Sequence, residues 1–167
     1  MKKFIIAAIA LVVSLTGAFA VPKALAMDYD YAIMMANCHA AQAVISQIEK
    51  ADAVSRINRG RAYNNTLDLL FAMNARLSNN RIAAPRLIEL TSDFETQLAA
   101  FRASYDRYDA ELTRVIDINC AQKPTEFYDR LSNAREYRQT IADEIKQLNK
   151  IIDEYKSELN KVAEGLE

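Results

Sequence analysis

The thiol and imidazole side chains of this chain, the types best suited to covalent or soft-metal chemistry, are Cys38, His39 and Cys120, and only Cys38 has a histidine beside it. A thiol beside an imidazole can make a nucleophile or bind a metal. Neighbouring residues on a helix, however, point about 100° apart around its axis and do not face each other. His39 is the only histidine, which excludes the Glu-x-x-His pairs of a carboxylate di-metal bundle. The chain has no H-E-x-x-H, no G-x-S-x-G, no glycine-rich phosphate loop and no EF-hand loop. The carboxylates of the last third, Asp143, Glu144, Asp153 and Glu154, alternate with Lys146, Lys150 and Lys156 at helical spacings. Such alternation supports a solvated helix face. The sequence therefore predicts a non-enzymatic protein with no catalytic residue, no cofactor and no metal site, and His39 as an ordinary, partly exposed side chain.

The two cysteines are not in a C-x-x-C arrangement, which weighs against a redox or metal role. An even cysteine count in an exported protein points to a disulfide, and within one chain only Cys38–Cys120 is available. An intermolecular bridge is the alternative. In an antiparallel hairpin, paired residues are symmetric about the turn, and the midpoint of 38 and 120 is Asn79, within Ser78-Asn79-Asn80. If the turn centres nearer Ile82, the register is off by a few residues, which a bend near Gly60 would absorb. The staple closes a loop of about 82 residues, worth on the order of 4 kcal/mol in the chain-entropy model.

Export is itself read from the first residues. Met1-Lys2-Lys3 is followed by an apolar run from Phe4 to Ala20, then by two A-x-A sites, Ala18-Phe19-Ala20 and Ala24-Leu25-Ala26. That is the pattern of a secretory signal peptide. Cleavage is expected after Ala26, with Ala20 as the alternative, giving a leader at 1–26 and a mature domain at 27–167. An uncleaved anchor is disfavoured because the run sits at the short end of what spans a bilayer. Cys38 lies too far from either site for lipidation. The expected location is extracytoplasmic: secreted, cell-surface or periplasmic, touching the membrane only if the leader is retained.

Three of the 21 Lys and Arg residues and none of the 22 acidic ones fall in 1–26, so the mature part has 18 basic side chains and a net charge near −4. Interspersed charge of that sign gives no reason to expect nucleic acid or an anionic membrane surface as a partner.

The elements that carry these residues are helical. Gly and Pro number three each, and no alternating β-branched run follows position 26. From Leu131, the residues Ala134, Arg138, Ile141, Ile145, Leu148, Ile152, Tyr155, Leu159, Val162 and Leu166 keep a 3-4 alternation, the seam of a coiled coil with Arg138 as its one polar member. A helix over 125–164 would be roughly 60 Å long at ~1.5 Å per residue. A second helix over 85–119 carries Leu87, Leu90, Phe94, Leu98, Phe101, Tyr105, Tyr108, Leu112 and Val115, with a stutter at Phe94–Leu98. The first, over 28–77, has two apolar stretches: Met34, Cys38, Ala41, Ile45 and Ile48, then Leu67, Leu70, Phe71, Asn74 and Leu77. A polar stretch, Ser55 to Arg61, separates them around Gly60. Gly costs a helix about 1 kcal/mol against Ala, so a bend or break is weighed here; with no Pro or turn cluster nearby, a continuous helix is favoured. Short connections force antiparallel neighbours. The fold class is all-α, a long antiparallel three-helix, coiled-coil-like bundle behind a signal peptide.

Eight tyrosines are many for such a bundle. Tyr105, Tyr108 and Tyr155 fall on seams. Tyr128 and Tyr137 flank theirs and mark a candidate binding face at the start of the last helix, since Tyr is enriched at interfaces; a wider seam is the alternative.

The layout Cys38 … Ile57-Asn58-Arg59 … Asn119-Cys120 … Glu126-Phe127-Tyr128-Asp129-Arg130-Leu131-Ser132-Asn133-Ala134-Arg135-Glu136 resembles a group of uncharacterised secreted three-helix bacterial proteins with one Cys pair, common in the reduced-genome candidate phyla. The resemblance implies a signal peptide and three helices, and no activity. The chain departs from it at Gly60, where a bulky apolar residue would be expected. The function expected is that of an exported structural or protein-interaction module. The alternative is a periplasmic helical chaperone or a minor component of a secretion or pilus apparatus. Self-association through seam residues near Met34 or Leu166 is a further expectation.

Overall fold

The computed structural model describes the backbone of residues 23–165 and the side chains of 31–165. The expected leader up to Pro22 and the seam residue Leu166 lie outside the described residues. Three helices make the fold: α1 (Lys23–Asn79), α2 (Pro85–Asp117) and α3 (Pro124–Glu164). Pro85 and Pro124 each sit in a first helical turn, where a missing N–H costs nothing.

The core runs along α2. Every residue of its expected stripe, Leu87 through Val115, is buried. α3 packs most closely on α2, α1 less so, and α1 touches α3 least. On α3 the expected seam holds, with Ala134, Ile141, Leu148 and Tyr155 buried and the intervening residues partly buried. Arg138 is mostly exposed. Phe127, outside the expected stripe, is fully buried.

α1 runs unbroken through Gly60, and a Cβ added there would meet nothing within 4 Å. The register slides along its length. Asn74 meets Thr91 and Tyr63 meets Phe101, pairs centred on the loop near Ile82, whereas Cys38 meets Cys120, centred on Asn79. Phe71, expected in the stripe, is 48% exposed. The core-facing line runs Tyr63, Leu67, Leu70, Asn74, Leu77 at 4-3-4-3 spacing, and Phe71 lies about 100° off it.

Three helix ends differ from expectation, two of them for a visible reason. α1 extends to Asn79 and closes with the Ile82 N–H donating to the Leu77 carbonyl (2.9 Å) and the Arg81 N–H to Ser78 (2.9 Å). That is the Schellman pattern, with Arg81 at φ 60° where glycine is the usual occupant. α2 stops at Asp117, two residues early, because the Gln42 side-chain amide draws in the carbonyls of Val115, Ile116 and Ile118 at 3.2, 3.0 and 2.7 Å. Ile118 is then extended and leads into Cys120. The start of α1 at Lys23 precedes the expected Asp28.

Candidate functional site

Because α1 leans on α2 and only lightly on α3, the seam between α1 and α3 is open over part of its length. Ala41, Val44, Ile45 and Ile48 recur at helical spacing and line one wall; Leu131 and Ala134 line the other, and Tyr108 and Leu112 of α2 form the floor. The groove encloses about 360 Å³, and Arg135 and Arg138 stand on its α3 lip. A second depression of about 170 Å³ continues from it, sharing Tyr108 and Arg138 and adding Asp52, Ser55, Arg59, Tyr105, Ile141 and Ile145. One end of the groove is thus apolar and the other polar.

The polar end is organised around Asp52. The Tyr108 hydroxyl donates to Asp52 Oδ2 at 2.7 Å, and Arg138 lies 3.6 Å from the same oxygen. The Tyr105 hydroxyl donates to the Asp52 carbonyl at 2.8 Å. All three helices therefore meet at one carboxylate. Burial, then the hydrogen bond to Asp52, pushes the Tyr108 phenol far above its ordinary range. Burial, reinforced by the Asp52 charge, raises Tyr105 as well. Both phenols are donors here, and neither is poised as a base. On the outer side of α1, Arg56 pairs with Asp106 (3.3 Å) and Asp109 (3.5 Å) and lies over the Tyr105 ring.

Two further polar clusters fix the helices above and below this level. Glu111, 3% exposed, accepts from Arg114 at 2.9 Å and Arg130 at 3.2 Å. Burial alone would push its carboxyl up, but the two guanidinium groups outweigh that and hold it below the ordinary range. Toward the α1–α2 loop, Asn74 donates to Thr91 Oγ1 and accepts from the Tyr155 hydroxyl, both at 2.8 Å. Asn74, Thr91 and Tyr155 come from three different helices, so these three polar groups satisfy one another between elements.

Of the residues singled out in the sequence, Cys38 and Cys120 are fully buried and disulfide-bonded, with Cα atoms 5.7 Å apart. His39 is exposed, and the thiol beside it is consumed in the bond. Tyr128 and Tyr137 are not brought together. Nine residues on a helix amount to about two and a half turns, so they point to opposite sides of α3. Tyr128 is 36% exposed and stacks edge-to-face on Phe127, while Tyr137 packs against the core.

Sequence patterning placed most of the groove's apolar residues on seams but read those seams as closed, and it missed Val44, Asp52, Arg59 and Arg135 as part of the lining. The signals were present: Arg138 is the one polar residue in the α3 seam, and Asp52 lies four residues from Ile48 and falls on the same side of α1.

Among the described residues, no group of three or more His, Cys, Asp and Glu is placed to hold a metal ion, and no helix is long and apolar enough to cross a membrane. No protein-family model matches this sequence, and no curated protein or solved structure is significantly similar to it.

Proposed function

We propose that this chain is an exported, non-enzymatic protein-interaction module, a disulfide-stapled helical rod whose working surface is the α1–α3 groove. The carrying observation is that groove, apolar at one end and bounded by Val44, which leaves 56% of its surface to solvent. Exposed apolar side chains around a concavity are what helix-binding surfaces offer. A fully buried disulfide is compatible with an oxidising, extracytoplasmic compartment, and the apolar run behind Met1-Lys2-Lys3 supports the same location.

Photo-crosslinking in the producing cells tests the reading. A crosslinker at Val44 should give discrete protein adducts, and one at exposed Asp93 on α2 should give few. Uniform, weak labelling at both positions would sink it.

The runner-up, a helical chaperone, draws on a different observation: Val54, Ile57, Leu69 and Phe71 are exposed along α1 outside the groove. Suppression of client aggregation that survives a groove substitution but is lost when these four are made polar would favour it.

A further inference from the structure

We infer that the α1–α3 groove is the seat of a fourth helix, supplied by a partner protein and carrying acidic side chains beside its apolar stripe. The inference rests on the interaction-module reading and names the partner's chemistry.

The first support is shape. Along α3 the groove runs from Leu131 to Ile145, roughly 21 Å at ~1.5 Å per residue, about four helical turns. Its walls are two parallel helices, α1 and α3, presenting apolar residues at helical spacing, and the antiparallel α2 closes the floor. Three helices with one open seam are a four-helix bundle lacking a member, and the missing member packs by the same knobs-into-holes geometry. Among the described residues nothing covers this seam. A small ligand is the poorer fit, since pockets for small molecules enclose most of their ligand and this groove is open along its length.

Charge is the second, independent support. The whole chain has a formal net charge of −1, yet the groove is lined by Arg59, Arg135 and Arg138 against the single carboxylate Asp52. Asp52 is engaged by Tyr108 and Arg138. Arg59 and Arg135 form no ion pair with any described residue. A partner helix that places Glu or Asp next to its apolar stripe satisfies both guanidinium groups at the lip. A basic partner meets like charge on each side, which costs affinity and specificity alike.

The test uses the oxidised protein as its own cells produce it and two labelled synthetic helices of about 18 residues, long enough to be helical on binding. Each carries the same Leu stripe, flanked by Glu in one and by Lys in the other. Fluorescence anisotropy should show the Glu helix binding at least about ten-fold more tightly than the Lys helix. Arg135→Glu, which breaks no ion pair among the described residues, should reduce or reverse that preference. Val44→Asp, at an exposed position, should abolish binding while the helical circular dichroism and its melting remain unchanged.

Equal binding of the two helices, binding of neither, or binding indifferent to Val44→Asp would overturn the inference. So would saturation of the groove by dodecanoate in the absence of helix binding, which would make it a lipid seat. A dimer dissolved by Val44→Asp would assign the groove to a second copy. Crosslinks at Val44 that persist while both helices fail would remove the acidic-helix inference alone and leave the interaction-module reading standing.

Discussion

The two halves of α1 are held to the bundle in different ways. From Tyr63 to Leu77 the helix packs by side chains: Tyr63 meets Phe94 and Phe101 edge-to-face, Leu70 is buried, and Asn74 joins Thr91 and Tyr155. From Cys38 to Arg59 apolar contact is thinner, and the helix is held by directed links. These are the disulfide, the Gln42 amide on three α2 carbonyls, and Asp52 under Tyr108 and Arg138. The groove opens only along this second half. A helix packed by shape closes its seams, whereas one held at a few points can stand away from a neighbour and keep a surface open. The covalent bond lies where packing alone would be weakest.

The largest expected effect comes from removing that bond. Cys38→Ala with Cys120→Ala, or reduction, should cost on the order of 4 kcal/mol for a loop spanning 82 residues. Hydrogen exchange should then rise through residues 31–59 and much less through 63–79. A uniform rise along α1 would break the comparison.

Next in size are the polar links. Asn74→Ala removes the donor to Thr91 and the better acceptor of the Tyr155 hydroxyl, which keeps only the Leu70 carbonyl at 3.4 Å. Inside the packed half this should cost about 2 kcal/mol. Asp52→Ala strands the Tyr108 hydroxyl at the edge of an open groove, where water reaches it, and should cost about 1 kcal/mol. Denaturant melts of the two variants compare the halves directly, and equal losses would contradict the distinction.

A smaller effect is expected at alkaline pH. The phenols of Tyr105, Tyr108 and Tyr155 all lie above their ordinary value of 10.0 in the folded chain. An unfolded tyrosine therefore ionises first. The stability these groups contribute is whole below pH 10 and is lost as the pH climbs past it toward their folded-state values. Tyr108→Phe should flatten this loss more than Tyr155→Phe, because burial and the Asp52 carboxylate together act on Tyr108, and only burial acts on Tyr155. Denaturation midpoints between pH 8 and about pH 11 would measure it.

The smallest is a gain. Gly60 is helical with open space at its Cβ position, so Gly60→Ala should stabilise by up to about 1 kcal/mol and leave groove binding unaltered. A loss would mean that this glycine serves a contact beyond the chain.

The fold was largely legible because apolar side chains at 3-4 spacing are a local signal, and α2 buries every residue so identified. The Cys38–Cys120 pair was legible from hairpin symmetry for a similar reason. The groove was not, because which seam residues remain open depends on how far α1 stands from α3, and that distance is set by links between residues far apart in sequence. Gln42, Asp52 and Glu111 look like ordinary helix-surface residues until their partners are in place. Arg81 concealed a helix end because its φ of 60° usually calls for glycine. Tyr128 and Tyr137 misled as a pair because residue type was weighed without counting turns.

The position of the disulfide also decides how the molecule bears load. The bond encloses the whole α1–α2 hairpin beyond Cys38 and leaves α3 outside. Tension applied between the start of α1 and the end of α3 passes through the sulfur bridge and bypasses the enclosed hairpin. Under such a pull α3 peels away first, its residues stretching from a helical rise of ~1.5 Å to at most ~3.6 Å each, and the hairpin contributes no length. Reduction would unlock the hidden segment between the cysteines, giving the chain two tethers of different reach, chosen by the redox state of its surroundings.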